Sequence, residues 1–249
     1  MKILSAVAAL VVLATLGATA QTTSPLSDAE VQGRALAQKI LSQWPAENFT
    51  NTGVLKIRDA GGKRVEIPVR FQTSVTASNW QASYSTWSNR DYSTWLMVTH
   101  SSESPNVYQL SNINAPPDDT NQFISLAGDQ TAAGFARSDF SIADLGLEFF
   151  HWPQQKVLKR EVHRSCGCTV LESTNPNPAP DGYSRVRLWI DTDTFGIVEA
   201  YAYDAKGKQL KDFYPKDFTK VNGRWQVQTL VMENVQTGSR SRLEFDLKK

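Results

Sequence analysis

The residues best equipped for chemistry fall into two groups. Cys166-Gly167-Cys168 follows closely on His163, and two thiols with an imidazole at this spacing offer a metal ion three ligands or a redox cycle two sulfurs. A bridge between the thiols would require a bent backbone at Gly167, because residues i and i+2 of a strand sit near the upper Cα limit for a disulfide. Asp139, Asp144 and Glu148 form the second group, with the residue types of paired-carboxylate catalysis. Asp144, however, stands three residues after Ser141, the spacing of a capping box, and Asp139 reads as a turn or anchoring residue. His100, His151 and His163 lie in unrelated contexts, and G-x-S-x-G, H-E-x-x-H and phosphate-loop patterns are all missing from the sequence. The expectation is a protein that is not an enzyme and needs no cofactor. Structural cysteines are the preferred reading, with metal or redox chemistry through Cys166, Cys168 and His163 as a weaker alternative.

The carboxylates belong to a short apolar stretch, Phe135 to Pro153, around which the chain is organised. Ser141 fixes a helix start there. Ile142, Leu145, Gly146, Phe149 and Phe150 then share one helical face, and Pro153 disfavours helix at Trp152. The expectation is one helix of about three turns, too short to be stable unless its face lies on a sheet.

The elements around it are mostly strands. Ser27 and Glu30 announce an amphipathic helix to about Gln43, with Gly33, Leu36, Ala37, Ile40, Leu41 and Trp44 on one side and Pro45 as its stop. From Asn51 the period changes to two. Val54–Arg58 and Val65–Val75 flank Gly61-Gly62, which supply the positive-φ positions of a hairpin, and Val65, Ile67, Val69 and Phe71 alternate with polar residues. Further strands follow to Leu110. A long connection from Asn112 to Gly134 then reads as an entry loop or a passive surface loop. The expected fold class is mainly β (α+β), with roughly ten or eleven antiparallel strands against two helices.

Composition narrows the partners. With 26 Lys+Arg against 25 Asp+Glu the net charge is +1, so there is no global field to recruit nucleic acid or anionic lipid. Lys2, the apolar run Ile3–Leu16 and Ala18-Thr19-Ala20 read as a secretory signal peptide, residues 1–20, cut after Ala20. Residues 21–249 would then form one exported domain, placed in the periplasm and monomeric. No cysteine follows the cut, which favours free release over a lipid anchor.

Phe135-Ala136-Arg137-Ser138-Asp139-Phe140, with Asp144-Leu145 and Trp152-Pro153, resembles the LolA-like outer-membrane lipoprotein-sorting family. Tyr183-Ser184-Arg185-Val186, Leu188-Trp189-Ile190-Asp191, Tyr203-Asp204, Gly207-Lys208, Gly223-Arg224-Trp225 and Met232-Glu233-Asn234 extend the likeness over most of the chain, which resembles the uncharacterised branch of that superfamily. The resemblance implies a strongly curved antiparallel sheet, an incomplete β-barrel, whose covering helices enclose an apolar cavity for acyl chains. It also implies an arginine that holds the cover closed, and no flanking motif selects Arg58 or Arg70 for that role.

A sheet of about ten strands presents more apolar face than two short helices cover, so it must close, pack as a sandwich or leave a lined hollow. The candidate lining residues are Ile40, Trp44, Ile67, Val69, Phe71, Trp80, Tyr84, Ile142, Leu145, Phe149 and Phe150, and the same periods also suit a filled core. The expected function is a periplasmic carrier of lipid or lipoprotein acyl chains, with a lipid or acylated lipoprotein as partner. The alternative is an envelope sensor or interaction module of the same fold that engages a membrane protein.

Overall fold

The computed structural model describes residues 25–88, 93–102, 104–111, 123–221 and 224–247. The expected signal peptide, residues 112–122 of the long connection and the Asn222-Gly223 turn lie outside the described residues.

The first element, α1 (Asp28–Leu41), starts where the sequence places it. The Ser27 N–H and hydroxyl donate to the Glu30 carboxylate at 2.8 and 2.7 Å, satisfying a free donor before the first turn. Gly33 and Ala37 are its buried residues. A Cβ on Gly33 would lie 2.5 Å from the Gln155 carbonyl, so only glycine lets the helix approach the strand beneath it this closely.

The first hairpin joins β1 (Phe49–Arg58) to β2 (Arg64–Val75). Only Gly62 of the glycine pair takes a positive φ, at 86°, and an Asp59–Lys63 backbone pair closes the turn. The sheet continues with β3 (Trp80–Thr86), β4 (Thr94–His100), β5 (Val107–Ser111) and β6 (Phe123–Leu126). After the central segment, which contains α2 (Ile142–Leu145), come β7 (Gln154–His163), β8 (Cys166–Thr174), β9 (Tyr183–Asp191), β10 (Ile197–Asp204) and β11 (Gln209–Pro215). The last elements are β12 (Phe218–Val221), β13 (Arg224–Val227), β14 (Thr229–Asn234) and β15 (Arg240–Phe245).

Thirteen of these strands form one antiparallel sheet in the order β6-β5-β4-β3-β2-β1-β15-β14-β11-β10-β9-β8-β7, while β12 and β13 form a separate ribbon. The sheet is curved and does not close, leaving β6 and β7 as edges. This is the expected fold class with more strands than expected. The strand β6 lies inside the connection read as irregular, and the run from Trp225 divides at Gln228, whose N–H turns away to the Asp217 carbonyl at 2.7 Å.

One face carries two apolar cores. The first gathers Leu55, Ile67, Val69, Leu96 and Val98 from the early strands with Met232 and Leu243 from the last ones. The second gathers Leu171, Val186, Leu188, Ile190, Ala200 and Ala202 with Ala37 of α1. The clean alternation of β2 is as expected, with Ile67 and Val69 fully buried. Replacing Gly33 with alanine should push α1 off β7 and destabilise the fold by about 1–3 kcal/mol, measured as a shift of the urea midpoint.

Candidate functional site

The segment between β6 and β7 departs from the single helix expected for it. Ser141 caps α2 as read: its N–H donates to Asp144 Oδ2 at 2.7 Å and its hydroxyl accepts from the Asp144 N–H at 3.1 Å. The helix then ends after one turn, Leu147 adopts left-handed geometry at φ 51°, and a 3₁₀ turn runs from Glu148 to His151. Gly146 marks the break, because any Cβ there would collide with the Tyr108 ring. The reason lies in the sheet below. Phe135, Phe140, Ile142 and Leu145 enter the first core, whereas Phe149 and Phe150 enter the second. One straight helix could not reach both, so the face shared in a helical projection becomes two faces.

Polar contacts hold this cover down. The Asp139 carboxylate accepts from the hydroxyls of Ser239 and Ser241 at 2.5 and 2.7 Å, and its N–H donates to Ser241 at 2.8 Å. Lys211 Nζ donates to the Asp139 carbonyl at 2.7 Å and lies 3.5 Å from Asp144 Oδ2, which also accepts from the Tyr183 hydroxyl at 2.9 Å. Asp139 is thus an anchor and Asp144 a cap, as expected, while Lys211 carried no sequence signal and Tyr183 stood out only as part of the family resemblance. Neither early-strand arginine takes part. Arg58 and Arg70 are exposed, one donating to the Gly238 carbonyl at 3.1 Å and the other lying 5.9 Å over Trp87.

Buried polar groups cluster under the broken helix. The Tyr108 hydroxyl and Asn106 Nδ2 donate to Glu148 Oε2 at 2.8 and 3.1 Å. Burial raises the Glu148 carboxyl above its ordinary range, against the pull of those two hydrogen bonds. His100 stacks on Trp80 with ring centroids 3.9 Å apart. Burial, with His151 nearby, lowers the His100 imidazole to about 4, and burial also lowers His151.

The eleven expected lining residues are divided between the two cores. Ile67, Val69, Phe71, Trp80, Tyr84, Ile142 and Leu145 join the first; Ile40, Phe149 and Phe150 join the second; Trp44 is half-buried outside both. A hollow of about 20 Å³ beside Phe149 lies between the halves, lined also by Asp144, Tyr183, Lys211, Phe213 and Met232. A larger cleft of about 320 Å³ opens between the central segment and the 175–183 link, and none of the eleven lines it.

The cysteine group sits on the opposite face of the sheet. Cys166 and Cys168 are free, and Cys168 packs with Val170 and Trp189. Its thiol is raised, chiefly by burial, which works against thiolate chemistry. His163 stacks on Trp189 at 4.7 Å and pairs with the buried Glu199, which also accepts from Arg164 at 2.5 Å. No group of three metal-ligating side chains occurs among the described residues.

Two outcomes follow from the pinned cover. Ser241→Ala removes a buried partner from Asp139 and should cost about 1–3 kcal/mol, with faster amide exchange across residues 135–150. In acid, His100 works against the fold. Its folded pKa lies below the ordinary 6.5, at about 4, so its contribution is complete above pH 6.5 and declines as the pH falls towards 4, by about 3 kcal/mol. Subtracting the denaturation profile of His100→Gln from that of the native protein isolates this slope from the opposite trend of Glu148.

Comparison with known proteins places this geometry. The fold matches a DUF1329 family protein from Desulfovibrio piger at a TM-score of 0.69 and 20% identity, covering 88% of this chain and 92% of the other. It matches an outer membrane lipoprotein-sorting protein domain from Vibrio parahaemolyticus at 0.70 and 18%, with the same coverage. A LolA superfamily protein from Nitrosomonas europaea matches at 0.58 and 16%, covering 89% and 93%. No curated protein matches the chain. A family model described as "Uncharacterized protein" matches residues 117–248, more than half of the 249-residue chain. The chain belongs to that uncharacterized protein family, and it carries the LolA-like fold.

Proposed function

We propose that the protein is an exported, periplasmic carrier of lipid or lipoprotein acyl chains, with residues 135–152 as the cover of its binding face. The observation that carries this reading is the cover itself. It is irregular, contributes side chains to both cores, and is tied to the sheet by a few partly buried polar contacts. The likeness of the fold to an outer membrane lipoprotein-sorting protein domain and to a LolA superfamily protein supports it.

The energetics suit exchange. Phe135, Phe140, Ile142, Leu145, Phe149 and Phe150 are all buried; at roughly 2 kcal/mol each their contacts amount to ~12 kcal/mol. An acyl chain of about twelve CH₂ groups offers ~10 kcal/mol at ~0.8 kcal/mol per group. An entering chain would therefore replace most of the apolar contact that lifting the cover removes, and a closed, filled interior is the expected ligand-free state of such a carrier. In this reading the ten expected lining residues of the two cores, with Trp44 at their margin, become the acyl-contacting surface, with the lipid or acylated lipoprotein as cargo.

The packed interior also favours a second reading, an envelope interaction module that never opens. Native mass spectrometry of protein isolated from a periplasm, together with titration of a fluorescent C16 fatty acid, tests the carrier. Saturable one-to-one uptake is expected, and Asp139→Ala, which frees the cover, should speed it several-fold. No acyl mass, no uptake and continued crosslinking to a membrane protein would replace the carrier with the module.

A further inference from the structure

We propose that the cleft between the central segment and the 175–183 link is a binding site for an ammonium group, centred on the Glu148 carboxylate. The cleft has a volume of about 320 Å³, within the range of small-molecule sites. Its walls include Asn106, Tyr108, Glu148, Trp152 and Tyr183.

The surplus of acceptors sets the ligand's chemistry. Asn106 Nδ2 donates to the Gly146 carbonyl at 2.7 Å as well as to Glu148, which fixes the orientation of the amide. Asn106 Oδ1 is then left buried with no hydrogen-bond partner. A buried acceptor without a donor is costly, and here it leaves this wall of the cleft with an excess of negative potential. Glu148 receives its two donors on Oε2; both are uncharged groups, so its negative charge has no cationic partner among them.

Net charge points the same way. Asp129, Glu148 and Asp181 line the cleft against one cation, Lys211. That lysine is engaged with the Asp139 carbonyl and the Asp144 carboxylate. A phosphate or carboxylate would therefore meet mainly negative charge. An ammonium group would meet the Glu148 carboxylate in a cleft whose walls also hold the aromatic residues Tyr108, Trp152 and Tyr183, a lining that combines charge with aromatic surface as sites for alkylammonium cations do. Burial holds the Glu148 carboxyl above its ordinary range, and a bound cation would offset that unfavourable burial.

The shared chemistry is an ammonium, carried either by a lipid headgroup or by a free amine, and the site does not depend on acyl binding. Choline chloride and ethanolamine, titrated separately into the full chain and followed by calorimetry and amide NMR, read it directly. Saturable binding at roughly millimolar Kd is expected, with shifts confined to residues 105–108, 148–152 and 175–183. Glu148→Gln should weaken binding about tenfold or more, and Asp181→Asn, at the exposed lip, about two- to threefold. The second variant serves if the first loses its fold by circular dichroism. Stronger binding of phosphatidylethanolamine nanodiscs than of glycerophosphoethanolamine assigns the headgroup as source, and the reverse assigns a free amine; both support the site. No saturation up to about 50 mM, equal binding by both variants and native protein, or the same shifts with glucose or inorganic phosphate would overturn it.

Discussion

Among the described residues, a sheet of thirteen strands that curves without closing turns its two main apolar cores to one face and has too little helix to cover them. Everything else in the structure follows from that constraint. The one long helix among the described residues, α1, docks near the β7 edge and covers part of the second core. The remainder falls to the stretch between β6 and β7, which must lay aromatic and aliphatic side chains on two surfaces facing different ways. Regular secondary structure cannot do that over so short a length, so the chain accepts a left-handed residue and a 3₁₀ turn in exchange for contact with both surfaces.

The polar groups are arranged around that compromise. Asp139, Asp144, Tyr183 and Lys211 join the cover to β9, β11 and β15 in partly buried contacts; the Lys211 and Asp144 side chains are 12% and 8% exposed. Buried ionic contacts of this kind add less stability than specificity, because desolvation offsets much of the attraction. They fix where the cover sits, while the apolar contacts keep it down. The lysine reaches the cover through β11, a late strand, whereas the two early arginines face solvent.

Much of this was readable from residues. The period-two pattern of β2, the Ser27 and Ser141 caps, the Asp139 anchor and the membership of Ile67, Val69, Ile142 and Phe149 in an apolar interior all follow from local rules that the fold obeys. The failures have a common physical cause. Ile142 and Phe149 look coplanar in a helical projection, and only the shape of the sheet shows that they belong to different surfaces. The cleft was invisible for the same reason. Asn106, Glu148 and Asp181 come from distant parts of the chain; Glu148 stood out only beside Asp139 and Asp144, which do not line the cleft, and Asn106 and Asp181 have no neighbour in sequence that marks them. Likewise β6 is too short to show a period before it pairs with β5.

The left-handed Leu147 has a consequence for how the cover can move. It separates Phe135–Leu145, seated on the first core, from Phe149 and Phe150, seated on the second. A rigid rod spanning both surfaces would have to leave them together, with the whole contact energy in one barrier. An articulated strap can peel from one surface while still gripping the other, so the barrier divides into two smaller ones and a half-raised state becomes a distinct species. The joint that spoils the helix is the feature that makes gradual detachment mechanically available.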